Sequence, residues 1–267
     1  MDLGLTDATA VVTGGTKGMG RAVADALAAE GARVAVLARG QGGLHTTAAA
    51  LADLGSPEVL ALRADVTDAA EVDAAFDAVA QRWGSLNVLV NTVGPAAGRF
   101  EQLHDEDWIK AYELGTMAAV RCVRAALGLL RAAPWARIVN VSAHSTQRQS
   151  PILPAYTASK AALTSVSKNL ARSLAPDGIL VNTVSPGTIV TASFTEALRG
   201  VFEERGLDAS DPHDVMRWID EVFHQPADLG RAGLPGEVAD VVTFLASRRN
   251  GYVTGANVNV DGGSDFV

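Results

Sequence analysis

The sequence predicts a doubly wound (Rossmann) parallel α/β sheet of about seven strands, with helices on both faces. Three observations carry that expectation. Short runs rich in β-branched residues are apolar throughout rather than alternating, as strands covered on both faces must be. Between them lie longer Ala- and Leu-rich stretches, and strands alternating with helices build a parallel sheet. A glycine-rich turn joins the first apolar run directly to a helix.

In chain order, strands are expected over residues 10–13, 34–37, 59–63, 88–91, 137–141, 180–184 and 257–260. Helices are expected over 21–29, 44–54, 69–82, 108–130 and 155–174. No repeat, low-complexity tract or Pro/Gly/Ser linker divides the 267 residues, which read as one Rossmann domain, 1–267. Hydrophobic residues make up 48% and charged residues 19%, enough for a sizeable core and too apolar for disorder. The alternation lapses over 191–231, a segment carrying Phe194, Phe202, Trp218 and Phe223. Two readings stay open for it: a substrate lid whose aromatics wall a pocket, or a surface helical pair whose aromatics dock on the core.

The formal net charge of -8, with no Lys/Arg run, disfavours nucleic acid or an anionic membrane as a partner. Cys122 is the only cysteine, which excludes an intramolecular disulfide and fits a reducing compartment. It lies in an apolar helical run and reads as a buried small hydrophobe. The N-terminus shows no basic stretch followed by an apolar one, and no apolar run nears the ~20 residues of a membrane span. A cytoplasmic protein is expected, and no metal is.

The first strand runs into Thr13-Gly14-Gly15-Thr16-Lys17-Gly18-Met19-Gly20, followed by a helix. A pyrophosphate needs unpaired backbone N–H groups and the positive end of a helix dipole, and glycines let the chain approach it closely. The segment resembles the TGxxxGxG loop of the short-chain dehydrogenase/reductase family. Further motifs follow in that family's order. Asp65-Val66 stands at the end of the third strand, where the resemblance implies an adenine contact. Asn91-Thr92-Val93-Gly94 is similar to the family's NNAG, and Tyr156-Thr157-Ala158-Ser159-Lys160 to its YxxxK. Ser185-Pro186-Gly187-Thr188-Ile189-Val190-Thr191 resembles the segment beside the nicotinamide, whose Thr bonds the cofactor. The implied cofactor site is Gly14, Thr16, Lys17, Gly18, Met19, Gly20, Asp65, Val66, Asn91, Val93, Gly94, Pro186, Gly187, Ile189 and Thr191, with Tyr156 and Lys160.

Charge selects between the two nicotinamide cofactors. NAD-preferring members end the second strand with an acid for the ribose hydroxyl; here that position is Ala38, followed by Arg39. Arg39 and Lys17 suit a 2′-phosphate, so NADP(H) is expected over NAD(H).

The expected chemistry is hydride transfer between nicotinamide and a carbonyl or secondary alcohol carbon. Tyr156 and Lys160 are four residues apart, hence on one helix face. An adjacent ammonium is expected to lower the tyrosine pKa towards working pH, making Tyr156 the acid or base. The resemblance implies that Lys160 also bonds the nicotinamide ribose. Two positions depart from the family pattern. The serine that holds the substrate oxygen falls on Ala143, leaving Ser142 as the favoured substitute and Ser145 as the close alternative. His144 and Gln147 are further polar residues of this loop. The asparagine that completes the proton relay falls on Gly115; either a water fills the gap or the relay is absent and turnover slow.

These departures keep a second class open, a nucleotide-binding regulator with little or no turnover; a sugar-nucleotide epimerase ranks lower. The tail from Gly251 to Gly263 resembles the family's last strand, which implies a homotetramer, with a dimer next. An apolar pocket would suit ketones, steroids, quinones or acyl chains alike. An NADP-preferring site leans towards reduction.

Overall fold

The computed structural model describes residues 2–96 and 98–264. Seven strands form one sheet: β1 (Thr9–Thr13), β2 (Arg33–Ala38), β3 (Val59–Arg63), β4 (Val88–Asn91), β5 (Ala136–Val141), β6 (Ile179–Pro186) and β7 (Asn257–Val260). Their order is β3-β2-β1-β4-β5-β6-β7, and every neighbouring pair is parallel. The fold class read from the sequence is the one observed.

Side-chain alternation divides the core between the two faces. Ala10 and Val12 of β1 join the cluster under α1 (Gly18–Ala29), α2 (Gln41–Asp53) and α9 (Pro235–Ala246). Val11, between them, faces the cluster under α3 (Ala69–Trp83) and α5 (Ala118–Ala132). The helices begin and end where local chemistry directs. Asp68 caps α3 by accepting from Ala70 N and Glu71 N, and Gly84 stops it in a left-handed conformation. Strand order reverses between β2-β1 and β4, so a crevice opens outside the carboxyl ends of β1 and β4.

One expectation needs correction. The single helix over 108–130 is broken into α4 (Asp105–Tyr112), a π turn (Glu113–Met117) and α5. An apolar stripe survives one inserted residue, so periodicity alone does not mark the break. The aromatics of 191–231 pack on one another. Phe194 lies on α7 (Ala192–Glu203), whose Phe202 packs 5.2 Å from the ring of Trp218 on α8 (Pro212–Phe223), itself 5.3 Å from Phe223. With Val190, Val215 and Met216 they make a third, separate cluster.

Among the described residues no helix is long and apolar enough to cross a membrane. Cys122 is fully buried on α5, and burial pushes its thiol up to about 12. The folded protein is therefore expected to leave Ellman's reagent unreacted at pH 8, and denaturation to release one thiol. Prompt reaction of the native protein would contradict this packing.

Candidate functional site

The crevice is built from the turn after β1. Lys17 is the N-cap of α1, no side chain caps that helix, and no acid stands in its first turn. Its first amides are therefore left for an anion. Gly20 is required by closeness: a Cβ there would sit 2.5 Å from both Gly14 O and Thr92 Oγ1. Thr92 itself donates to Thr13 O at 2.6 Å, tying the end of β4 to the glycine turn. Thr191 packs beside Gly18, 3.5 Å from where a Cβ would stand, so the segment after β6 closes on the same turn. Thr16 and Met19 are half-buried within it. An anionic, close-approaching group such as a dinucleotide pyrophosphate fits this cradle.

At the edge of the crevice, Arg39 is 81% exposed, with Nη1 3.9 Å from Asp65 Oδ2. The Asp65 carboxyl is held below its usual range by Thr67, whose N–H and hydroxyl donate to Oδ1 at 2.9 and 2.7 Å, with Arg39 adding a smaller pull. Val66 is buried behind it. Helix α2 begins at Gly40 with no side-chain cap and no acid in its first turn, and Lys17 is exposed.

Tyr156 and Lys160 come from α6 (Pro154–Leu174), with Pro154 starting the helix two residues before Tyr156. Gly94 lies against both partners. A Cβ there would stand 3.2 Å from Lys160 Cε and 3.7 Å from Tyr156 Cε2. Lys160 is 2% exposed, and its Nζ donates to Val141 O at 2.7 Å and Val93 O at 3.0 Å. Burial lowers the ammonium to about 8. Tyr156 is not brought towards neutrality as expected: burial raises its phenol to about 12. The ammonium is turned to the strand-end carbonyls, and desolvation dominates the phenol. At neutral pH Tyr156 is a protonated acid.

Several expected residues are engaged elsewhere. Ser142 donates to Lys160 O at 3.1 Å and pairs with Thr164 Oγ1 at 2.9 Å, at 2% exposure. Its hydroxyl is thus bonded to α6. Ser145 is equally buried and accepts from Thr157 Oγ1 at 3.0 Å. Ala143 is buried between them, and His144 Nδ1 lies 3.1 Å from Pro186 O. The Asn91 amide is spent on Asn140 Oδ1 at 2.8 Å, so only its backbone faces outward tasks. Thr191 Oγ1 accepts from Phe194 N and caps α7. Gly187 N is bonded to Val260 O, and Ile189 bridges to Gly233.

Other participants are invisible to motif reading. Asn140 Nδ2 donates to Ser167 Oγ at 2.9 Å, extending the Asn91 bond from β4 through β5 to α6. The polar residues inside apolar strands were its signal. Arg148 donates to the carbonyl of Ser264, joining the β5–α6 connection to the C-terminal stretch; nothing local announces this.

Known proteins place this geometry in context. The family model described as enoyl-(acyl carrier protein) reductase matches residues 14–265. The 3-oxoacyl-(acyl-carrier-protein) reductase of Haemophilus influenzae is 31% identical over 255 residues, covering 95% of this chain and 96% of that protein. The crystal structure of L-sorbose reductase from Gluconobacter frateurii, complexed with NADPH and L-sorbose, superimposes with a TM-score of 0.91 at 32% identity, covering 99% of this chain and 98% of that one. A variant of the actinorhodin polyketide ketoreductase with NADPH gives 0.85 at 31% identity, covering 97% of each chain.

Lys160 yields a pH prediction. Its folded value, about 8, lies below the unfolded value near 10.5, so between these the unfolded chain binds more protons. Stability should rise with pH across that window, by up to roughly 3 kcal/mol, with the full cost of the buried ammonium present below it. Chemical denaturation from pH 7.5 to 10 checks this; Lys160→Met should flatten the rise.

Proposed function

The chain belongs to the short-chain dehydrogenase/reductase family, and we propose that it is an NADP(H)-dependent ketoreductase using Tyr156 as proton donor. The observation that carries this reading is the convergence of Tyr156 and Lys160 on Gly94, at the crevice mouth, beside an uncapped helix N-terminus. When bound, the nicotinamide supplies or accepts the hydride. The pyrophosphate would lie on the amides of Gly18, Met19 and Gly20, and the adenine half towards Asp65 and Val66. Backbone at Asn91, Val93 and Gly94, with Pro186, Gly187, Ile189 and Thr191, would border the nicotinamide half.

The chain's own groups do the remaining work. The neutral Tyr156 phenol donates its proton to the oxygen of the reduced carbonyl and takes it back in oxidation. Lys160, charged at neutral pH, offsets the negative charge left on the phenol and is placed to bond the ribose. Ser142 supports the Lys160–Thr164 turn, and the substrate oxygen relies on Tyr156. The segment 191–231, rooted at Thr191 beside the glycine turn, serves as the lid. Tyr252, 98% exposed beside edge strand β7, supports assembly of copies there, read here as a homotetramer.

Arg39 and Lys17 support NADP(H), as do the NADPH complexes of two of the similar structures. Replacing Arg39 by Asp should lower the NADPH-over-NADH affinity ratio by roughly ten- to a hundredfold, the worth of one charged hydrogen bond to phosphate. Fluorescence titration of both cofactors measures it, and an unchanged ratio sinks the assignment.

The second reading, a nucleotide-binding regulator, draws on Ala143 and on the Ser142 hydroxyl bonded to α6. NADPH consumption separates the readings, against a panel of L-sorbose, diketones, quinones and a β-ketoacyl thioester. Turnover that falls at least ~100-fold in Tyr156→Phe establishes the enzyme. NADPH binding without turnover of any panel member favours the regulator.

A further inference from the structure

The π turn Glu113–Met117 packs on α6, and two of its residues converge on Ser159, which stands between Tyr156 and Lys160 in sequence. Thr116 is fully buried, and its Oγ1 donates to the Ser159 carbonyl at 2.7 Å. That carbonyl belongs to the peptide group leading into Lys160. Gly115 lies against the same side chain. A Cβ there would stand 2.2 Å from Ser159 Oγ, 2.8 Å from Ser159 Cβ and 3.3 Å from Pro95 Cδ. Ser159 Oγ in turn donates to Tyr156 O at 2.7 Å. Beyond the inserted residue, Arg121 Nη2 donates to Glu113 Oε2 at 2.6 Å, bracing α5 against the start of the π turn.

We propose that the π turn, through Thr116 and Gly115, is a positioning element for the Tyr156–Lys160 pair. The proposal rests on the reading of Tyr156 as proton donor. Successive residues of a regular helix point about 100° apart. The wider π turn brings two of them onto Ser159, one as a hydrogen-bond donor and one as room for the contact. Gly115 is therefore no vacancy in a proton relay. Any side chain there pushes on Ser159 and, through it, on the turn that holds both reactive groups. Thr116 supplies the attachment that fixes the Ser159–Lys160 peptide, and with it the height of the ammonium under the strand ends.

The test compares Thr116→Val, which keeps the shape and loses the donor, with Thr116→Ser, which keeps the donor. Both are run beside Tyr156→Phe and the unaltered protein. Turnover uses NADPH and the fastest-reduced ketone of the panel above, across pH, and hydrogen exchange is followed over Pro154–Leu163. Thr116→Val should lower kcat about tenfold, the worth of one buried hydrogen bond, with KM within about twofold. It should also displace the kcat pH profile and speed exchange in the first turns of α6. Thr116→Ser should restore all three. Gly115→Asn should lower kcat, and pairing it with Ser159→Gly should recover part of the loss. Should Thr116→Val not fold, Gly115→Ala carries the same comparison.

If Thr116→Val keeps the kcat, pH profile and exchange of the unaltered protein while Tyr156→Phe is inert, the positioning proposal is overturned and the catalytic reading stands. If Tyr156→Phe still turns over, the catalytic reading falls and takes the proposal's purpose with it, whatever the exchange shows. A rise in kcat for Gly115→Asn would also overturn it, because the site would then be an open relay position.

Discussion

An ammonium buried at the end of a parallel sheet must find acceptors, and the two nearest strand ends provide them. The Val141 and Val93 carbonyls take the Lys160 protons, and one lies at the end of β5 while the other follows β4. That pair of bonds fixes where α6 crosses the sheet. It also fixes where the phenol one turn earlier must stand. Burial costs the lysine part of its charge affinity and leaves the tyrosine neutral, so the helix delivers an acid rather than a phenolate.

The supports around this point are mostly backbone groups and small polar side chains. Asn91, Asn140 and Ser167 run as a buried chain from β4 through β5 to α6, each satisfying the next. Such networks are costly when broken and rigid when complete. Ser142 and Thr164 add a second attachment at the Lys160 carbonyl. Helix α6, which bears Tyr156 and Lys160, is thereby pinned on its sheet face, on its π-turn face and at its lysine.

The fold was readable because the central strands β1, β2 and β4 are buried on both faces, which leaves each a largely apolar run. The glycine turn and the Tyr156–Lys160 spacing were readable for a related reason: their chemistry depends on local geometry. What was not legible depends on the direction of single groups. Ser142 ends a strand as expected, yet its hydroxyl finds two partners on α6, and no local pattern records that choice. The break at Glu113–Met117 leaves the apolar stripe intact and so stays silent. Phe202 and Trp218 are apolar in either reading of their segment; only tertiary packing decides whether they line a cavity or meet each other.

That last arrangement has a wider consequence. Residues 191–231 carry an apolar nucleus of their own, separate from the two that sandwich the sheet. Beyond its root at Thr191, a segment that satisfies itself in this way can accumulate substitutions without disturbing the glycine turn. On the proposed lid role, substrate preference can therefore diverge on its own evolutionary schedule, within one continuous chain.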